Sequence, residues 1–344
     1  MDKKKIFMYA TQTTLVEQES YTFHKLGFDV YTAAWATNQT THLNRYREYN
    51  PKHFYQGKCD FLTDEETGTL SKIDVDWSKL PHRQVDYYED VQTLLLDKFD
   101  VLYVTAPTPW LVYAKKFLEA GKIVIFRPFG YHPNTWGVVD LGPLFAYDKF
   151  FVCTCTPVDQ IYYPRSHCIT TMMNDELFLE VGEPCTGSGA FTVSAGIDHH
   201  VFGNINEQLA IHGIPWATRQ YYYKGPWLNQ AGMDALYSNS LIFLDLNPIF
   251  KYPLLEAIAH GKVVVANSVI KSGPLYKYLA GSGLVCNDFW FDDENYKDVG
   301  DVVAKLYKDD ELKLQVFEKQ NDWLNNIMTV GISTWCRILE VDNE

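Results

Sequence analysis

Short apolar runs alternate along this chain with segments whose apolar residues recur at helical spacing. KIFMYA at 5–10 reads as a first strand, and TTLVEQESYTFHKLG at 13–27 as a helix stopped by Gly27. FDVYTAAW at 28–35 is the second strand, which makes a β–α–β opening. Residues 38–86 are polar and weakly patterned, and read as long loops. A helix is expected over 87–98, then the strand DVLYVTAP. Pro109 opens the helix PWLVYAKKFLEAG, which Gly121 closes, and KIVIFRPFGY and FFVCTC follow as strands. CITTMMN at 168–174 is a further strand.

LEVGEPCTGSG at 179–189 has the composition of a flexible joint. Beyond it the alternation resumes. FTVSAG is a strand, NINEQLAIHG a helix from Asn204 to Gly213, PWATRQYYY a strand, 232–238 a short helix and LIFLDL a strand. VGDVVAKLYKD is another helix, and DELKLQVFEKQNDWLNNIM a long amphipathic one. Strand–helix alternation implies parallel sheets, which bind ligands at the carboxyl ends of their strands. The fold class expected is α/β, with two Rossmann-like domains facing a cleft. The first spans 1–180 and the second 186–330, followed by a final segment at 331–344.

The stretch 241–267, LIFLDLNPIFKYPLLEAIAHGKVVVAN, is the most informative. Its first strand gives way to a loop at 247–252, and Pro253 suits a first helical turn, where its missing N–H costs nothing. Leu254, Leu255, Ala257, Ile258 and Ala259 are helix formers, and Gly261 stands where a left-handed cap is expected. VVVA resumes as a buried strand. Glu256 is expected in the first helical turn, beside a loop that ends a strand. It is either a solvated glutamate favoured by the helix dipole or a ligand-binding carboxylate.

Composition narrows the function classes. The 344 residues carry a formal net charge of −13, which argues against broad electrostatic binding of nucleic acid or anionic membrane and leaves room for a local basic cleft. Seven scattered cysteines suit a reduced, cytoplasmic protein. Cys153 and Cys155 alternate in a strand and read as small buried residues, since a metal site needs further ligands. The acidic run 292–294 reads as a solvated helix start, so no metal site is expected. The apolar run of the N-terminus is too short for a signal peptide, and nothing approaches the ~20 apolar residues of a membrane span. The turn after the first strand, 10–14, has no glycine. A dinucleotide oxidoreductase therefore loses its main support.

Candidate chemistry in the first half lies just past a strand, in IFRPFGYHPN. His132 is a candidate acid–base group or hydroxyl ligand, against the plain reading of an exposed loop histidine. Arg127 pairs either with a phosphate or carboxylate of a substrate or with a structural acid. Thr105 and Thr108 are weaker hydrogen-bonding candidates.

Residues 235–287, ALYSNSLIFLDLNPIFKYPLLEAIAHGKVVVAN onward to VCN, resemble the C-terminal domain of glycosyltransferase family 4 and related enzymes of the GT-B fold. The family's "EAxAxGxPVVA" run is matched by Glu256 to Ala266, and Phe250 matches the family's aromatic. Two departures stand out. The first glutamate of the family's pair falls on Pro248, and Lys251 replaces a glycine. The resemblance implies a nucleotide diphosphate sugar as donor substrate, bound by Glu256 with Phe250 beside it, and a final segment at 331–344 that crosses back to the first domain. The family's Arg and Lys have no clean equivalents here, so Lys251, Asn247, Gly196, Arg219 and Lys224 are this chain's own further candidates for holding the donor. Glu256 would accept the ribose hydroxyls, while Lys251 and a helix N-terminus would stabilise the departing diphosphate without a metal or other cofactor. It implies transfer to a glycan or small-molecule acceptor held by the first domain. The alternatives on this layout are DNA-base glucosyl transfer of the phage type, sugar-nucleotide epimerisation, and a non-catalytic sugar-nucleotide-binding relative.

Overall fold

The structure, a computed structural model, describes residues 4–10, 19, 22–34, 96, 99–104, 114–128, 141–155, 160, 163, 165–170, 183–195, 199–221, 230–246, 252–267, 290–291 and 296–341. The chain divides into two compact units, Met1–Asn174 with Val330–Glu344, and Asp175–Thr329.

In the first unit the apolar runs become β1 (Lys5–Ala10), β2 (Asp29–Ala34), β3 (Val101–Val104), β4 (Ile123–Phe126), β5 (Phe150–Thr154) and β6 (His167–Cys168). They form one sheet in the order β2-β1-β3-β4-β5-β6, and every neighbouring pair is parallel. All four residues of β3 and all four of β4 are buried, as expected for a sheet covered on both faces. Helix α1 (Ala114–Glu119) turns Ala114, Phe117 and Leu118 inward. They join Phe7, Leu102, Val124 and Val152 in the unit's core.

The second unit contains β7 (Ala190–Ala195), α2 (His199–Ile211), β8 (Trp216–Tyr221), α3 (Gln230–Asn239), β9 (Ile242–Asp245), α4 (Tyr252–Ala259), β10 (Val263–Asn267), β11 (Trp290–Phe291) and α5 (Val299–Lys308). Its sheet runs β11-β10-β9-β7-β8, again parallel. Helix α6 (Asp310–Leu339) begins in this unit and ends in the first, since Val330 onward groups there. The sequence suggested an amphipathic helix ending at 328 and a separate last segment. One helix of 30 residues runs through instead, because buried Trp323, Leu324, Trp335, Ile338 and Leu339 keep an apolar side to its end.

Helix α4 ends as its sequence indicates. Gly261 has φ +76, the Lys262 N–H donates to the Ala257 carbonyl and the Gly261 N–H to the Ile258 carbonyl, each at 2.9 Å. This is the Schellman arrangement, which satisfies carbonyls that the helix leaves unpaired. The same pair of bonds precedes the strands after Gly27, Gly121 and Gly213.

Two further expectations change. Helix α2 starts at His199, five residues before Asn204, because Phe202, Ile205 and Leu209 form one buried face that begins upstream of the better helix formers. The described part of the expected joint, 183–189, is a pinned turn inside the second unit. The Cys185 N–H donates to the Gly261 carbonyl at 2.8 Å, the Ser188 N–H to Asn239 at 3.0 Å, and the Thr186 carbonyl accepts from Lys262 Nζ at 3.0 Å. Gly187 and Gly189, both at positive φ, let this turn lie against the Ser240 and Pro215 carbonyls, where a Cβ would collide.

Candidate functional site

Strand order in the second unit reverses at β7. After β7 the chain moves to β8 on one side, then returns to β9 on the other. Open α/β sheets bind ligands where the order reverses in this way. β7 and β9 are in register only at Ala190 with Ile242 and Phe191 with Phe243. Beyond that, Thr192 Oγ1 donates to the Leu244 carbonyl at 2.6 Å, so a side chain continues the link as the ladder stops. Asp245 ends β9 and is 1% exposed. The chain leaves there and returns as α4.

Glu256 lies one turn into α4. The sequence suggested the first turn, but the helix begins at Tyr252, so that turn holds no acidic residue. The helix dipole falls off within the first turn, so it does not account for this glutamate. A side chain does. Tyr237, from α3, donates its hydroxyl hydrogen to Glu256 Oε2 at 2.8 Å. Tyr237 is itself 1% exposed. Its ring stacks on His260 with centroids 4.5 Å apart and planes at 4°, and meets Phe191 edge-on at 5.3 Å. Glu256 remains partly exposed. A buried tyrosine thus fixes one oxygen of a carboxylate that reaches the surface. The sequence reading missed Tyr237 and His260, since Tyr237 stands outside the Glu256–Ala266 run, His260 fills one of its unspecified positions, and each finds its partner on another helix.

Arg127 sits in the first unit, just past β4, and is 0% exposed. Its Nε donates to Glu19 Oε1 at 3.0 Å, and its Nη2 forms an ion pair with the same carboxylate. Nη1 donates to the carbonyls of Cys153 at 3.1 Å and Thr154 at 2.9 Å. The guanidinium lies 5.5 Å from the Trp335 ring centre, and the Tyr103 hydroxyl donates to Glu19. Of the two pairings considered for Arg127, the structure contains the one with a structural acid. Burial raises the Glu19 carboxyl above its ordinary range, against the pull of Arg127. Burial also pushes the Cys153 thiol up, and with Cys155 at 4% exposure both are core residues.

Arg219 lies in β8 with Val193 as its register partner in β7. His132, Gly196, Lys224, Asn247, Phe250 and Lys251 lie outside the described residues, as do Thr105, Thr108 and Pro248. Among the described residues, no group of three or more His, Cys, Asp or Glu is arranged to hold a metal ion. No helix there is long and apolar enough to cross a membrane.

No family model matches the chain, and no curated protein does so either. Solved structures do. An alpha-glucosyltransferase in complex with UDP-glucose and DNA containing an abasic site superposes with a TM-score of 0.53 at 14% identity, over 94% of each chain. A glycosyltransferase from Rickettsia africae ESF-5 gives 0.57 at 8% identity, over 99% of this chain and 100% of that one. A UDP-GlcNAc 2-epimerase from Neisseria meningitidis bound to UDP-GlcNAc gives 0.57 at 11%, over 97% and 100%. At these identities the likeness is one of fold. The chain has the α/β architecture of two Rossmann-like units that characterises GT-B proteins.

Proposed function

We propose that this protein is a glycosyltransferase of the GT-B type that binds a nucleoside diphosphate sugar in its second unit, at the carboxyl ends of β7 and β9. The observation that carries this reading is Glu256, a partly exposed carboxylate held by Tyr237 on the helix that follows β9. A carboxylate so held accepts hydrogen bonds from the two ribose hydroxyls. The first N–H groups of α4 lack partners within the helix and attract the diphosphate. Lys251, adjacent in sequence to the first residue of α4, neutralises charge on the leaving diphosphate, and Asn247, Phe250, Gly196, Arg219 and Lys224 complete the donor site. Negative charge grows on that leaving group during transfer, so fixed cations and amide dipoles are the principal catalytic demand. The similarity of fold to structures solved with UDP-glucose and UDP-GlcNAc supports a uridine nucleotide as donor. Within the fold, the run from Glu256 to Ala266 favours the family 4 pattern, with Pro248 and Lys251 as its departures.

The first unit would hold the acceptor, with His132 as the candidate acid–base group. A net charge of −13 favours a glycan or small molecule over duplex DNA. The epimerase neighbour motivates a second reading, in which the donor is converted with no acceptor. One experiment separates the two. The protein is incubated with UDP-glucose or UDP-GlcNAc, with and without an acceptor panel, and the products are resolved by chromatography. Acceptor-dependent release of UDP supports transfer, and a new UDP-sugar without acceptor supports epimerisation. Failure of UDP and both UDP-sugars to bind in calorimetry overturns the donor site. Glu256→Ala is expected to weaken UDP binding at least tenfold while leaving the thermal unfolding of the protein in place.

A further inference from the structure

The donor site as read above rests on Glu256, and a deeper layer of that site follows from its neighbours. We infer that Tyr237 is a positioning residue that sets the Glu256 carboxylate for the ribose, and that His260 holds Tyr237 in place to do so.

Three facts lead there. Glu256 and His260 are four residues apart at the C-terminal end of α4, joined by a bond from the His260 N–H to the Glu256 carbonyl at 2.9 Å. Their side chains therefore share one side of the helix. Tyr237 lies along that side, with its ring on His260 and its hydroxyl on Glu256. Phe191 closes the other flank with its edge against the tyrosine ring, and Phe191 belongs to β7, the strand at which the order of the sheet reverses. The tyrosine is thus clamped between a strand and a helix, and its polar end points at the one carboxylate of α4.

Clamping matters because a glutamate has three rotatable side-chain bonds and an exposed one samples several rotamers. A hydrogen bond from a buried phenol to the ionised carboxylate is of the stronger, charge-assisted kind. It selects one rotamer before the ligand arrives, so the ordering cost is not charged to binding. A tyrosine serving only to fill the core needs its ring, whereas a positioning tyrosine needs its hydroxyl. Tyr237→Phe separates the two roles, since it keeps both ring contacts.

The test uses the full chain with UDP and 2′-deoxy-UDP as probes, in calorimetry, on the wild type, Tyr237→Phe, Glu256→Ala and the double variant. The wild type should prefer UDP over the deoxy form. Tyr237→Phe should lose roughly tenfold in UDP affinity and most of that preference, with its melting temperature close to wild type. In the Glu256→Ala background the tyrosine substitution should change nothing further. If Glu256→Ala weakens UDP and Tyr237→Phe does not, or if the two losses multiply, the positioning role is refuted and the donor site stands. If Glu256→Ala leaves UDP affinity unchanged, the donor site as assigned falls and the role of Tyr237 falls with it. His260→Leu, which keeps volume and removes the stacked ring, should reproduce part of the Tyr237→Phe loss.

Discussion

Replacing Arg127 with methionine is the sharpest test of how the first unit is held together. The arginine and Glu19 are both 0% exposed. Removing the cation strands the carboxylate in the core and takes the Arg127 donor from the Cys153 and Thr154 carbonyls, the second of which keeps the Ile169 N–H at 2.8 Å. Breaking a buried ion pair by removing one partner costs about 3–5 kcal/mol. For a unit of this size, each kcal/mol moves the melting temperature by about 2–4 °C, so the first unit should melt roughly 6–20 °C lower. The loss should also depend on pH. Burial already raises the Glu19 carboxyl in the native protein, and losing Arg127 removes the main opposing pull. A carboxyl with a raised native pKa favours the fold below its unfolded value of about 4.3, and that contribution is lost as pH rises through the native value. The deficit of Arg127→Met should therefore shrink between pH 7 and pH 5. Adding Glu19→Gln should restore stability at pH 7, because the neutral amide still accepts from Tyr103. Urea unfolding followed by tryptophan fluorescence at both pH values measures all of this. A cost below about 1 kcal/mol, or no recovery in the double variant, would refute the pairing as the source of stability.

Other expectations concern single contacts. Gln320 on α6 accepts from the Val264 N–H and donates to the Val264 carbonyl, both at 2.9 Å, so Gln320→Leu orphans two backbone groups of β10. A loss of about 1–3 kcal/mol per group should appear in denaturant midpoints, and a neutral result would count against this bridge. Gly189→Ala meets both a φ of +76 and the Pro215 carbonyl, so it should cost more than the about 1–2 kcal/mol of the left-handed backbone alone. Circular dichroism melts check this, with a wild-type melt as the contrary result. His167 is lowered below its usual pKa by burial and by Arg337. Its contribution is present above pH about 6.5 and lost as pH falls through the lower native value. His167→Gln should flatten the decline in melting temperature from pH 7 to pH 5, and parallel curves would remove His167 from it.

Much of the fold could be read from the chain because its strands are buried on both faces. IFMYA, VLYV, IVIF, IFL and VVVA are unbroken apolar runs of strand length, as the strands of a covered parallel sheet require. Glycine stops at 27, 121, 213 and 261 were equally plain, since each carries a positive φ that other residues resist. The start of α2 was not, because His199, His200 and Gly203 are indifferent helix formers and the packing of Phe202 decides the matter. Glu256 was visible through its motif, but Tyr237, 19 residues away, was not. The link between Glu19 and Arg127 spans 108 residues and depends on strand order, which no local pattern encodes.

Helix α6 has a consequence for how the chain becomes a protein. Trp335, which closes over Phe23 at 5.0 Å and over Arg127, is translated only after the whole of Asp175–Thr329. At 5–20 residues per second, those ~155 residues keep the ribosome occupied for about 8–30 s. During that interval the first unit is complete in its sheet and lacks its last wall. The unit made first is therefore the one finished last, and a nascent chain halted before Val330 exposes the Phe23 and Arg127 region to solvent and to chaperones.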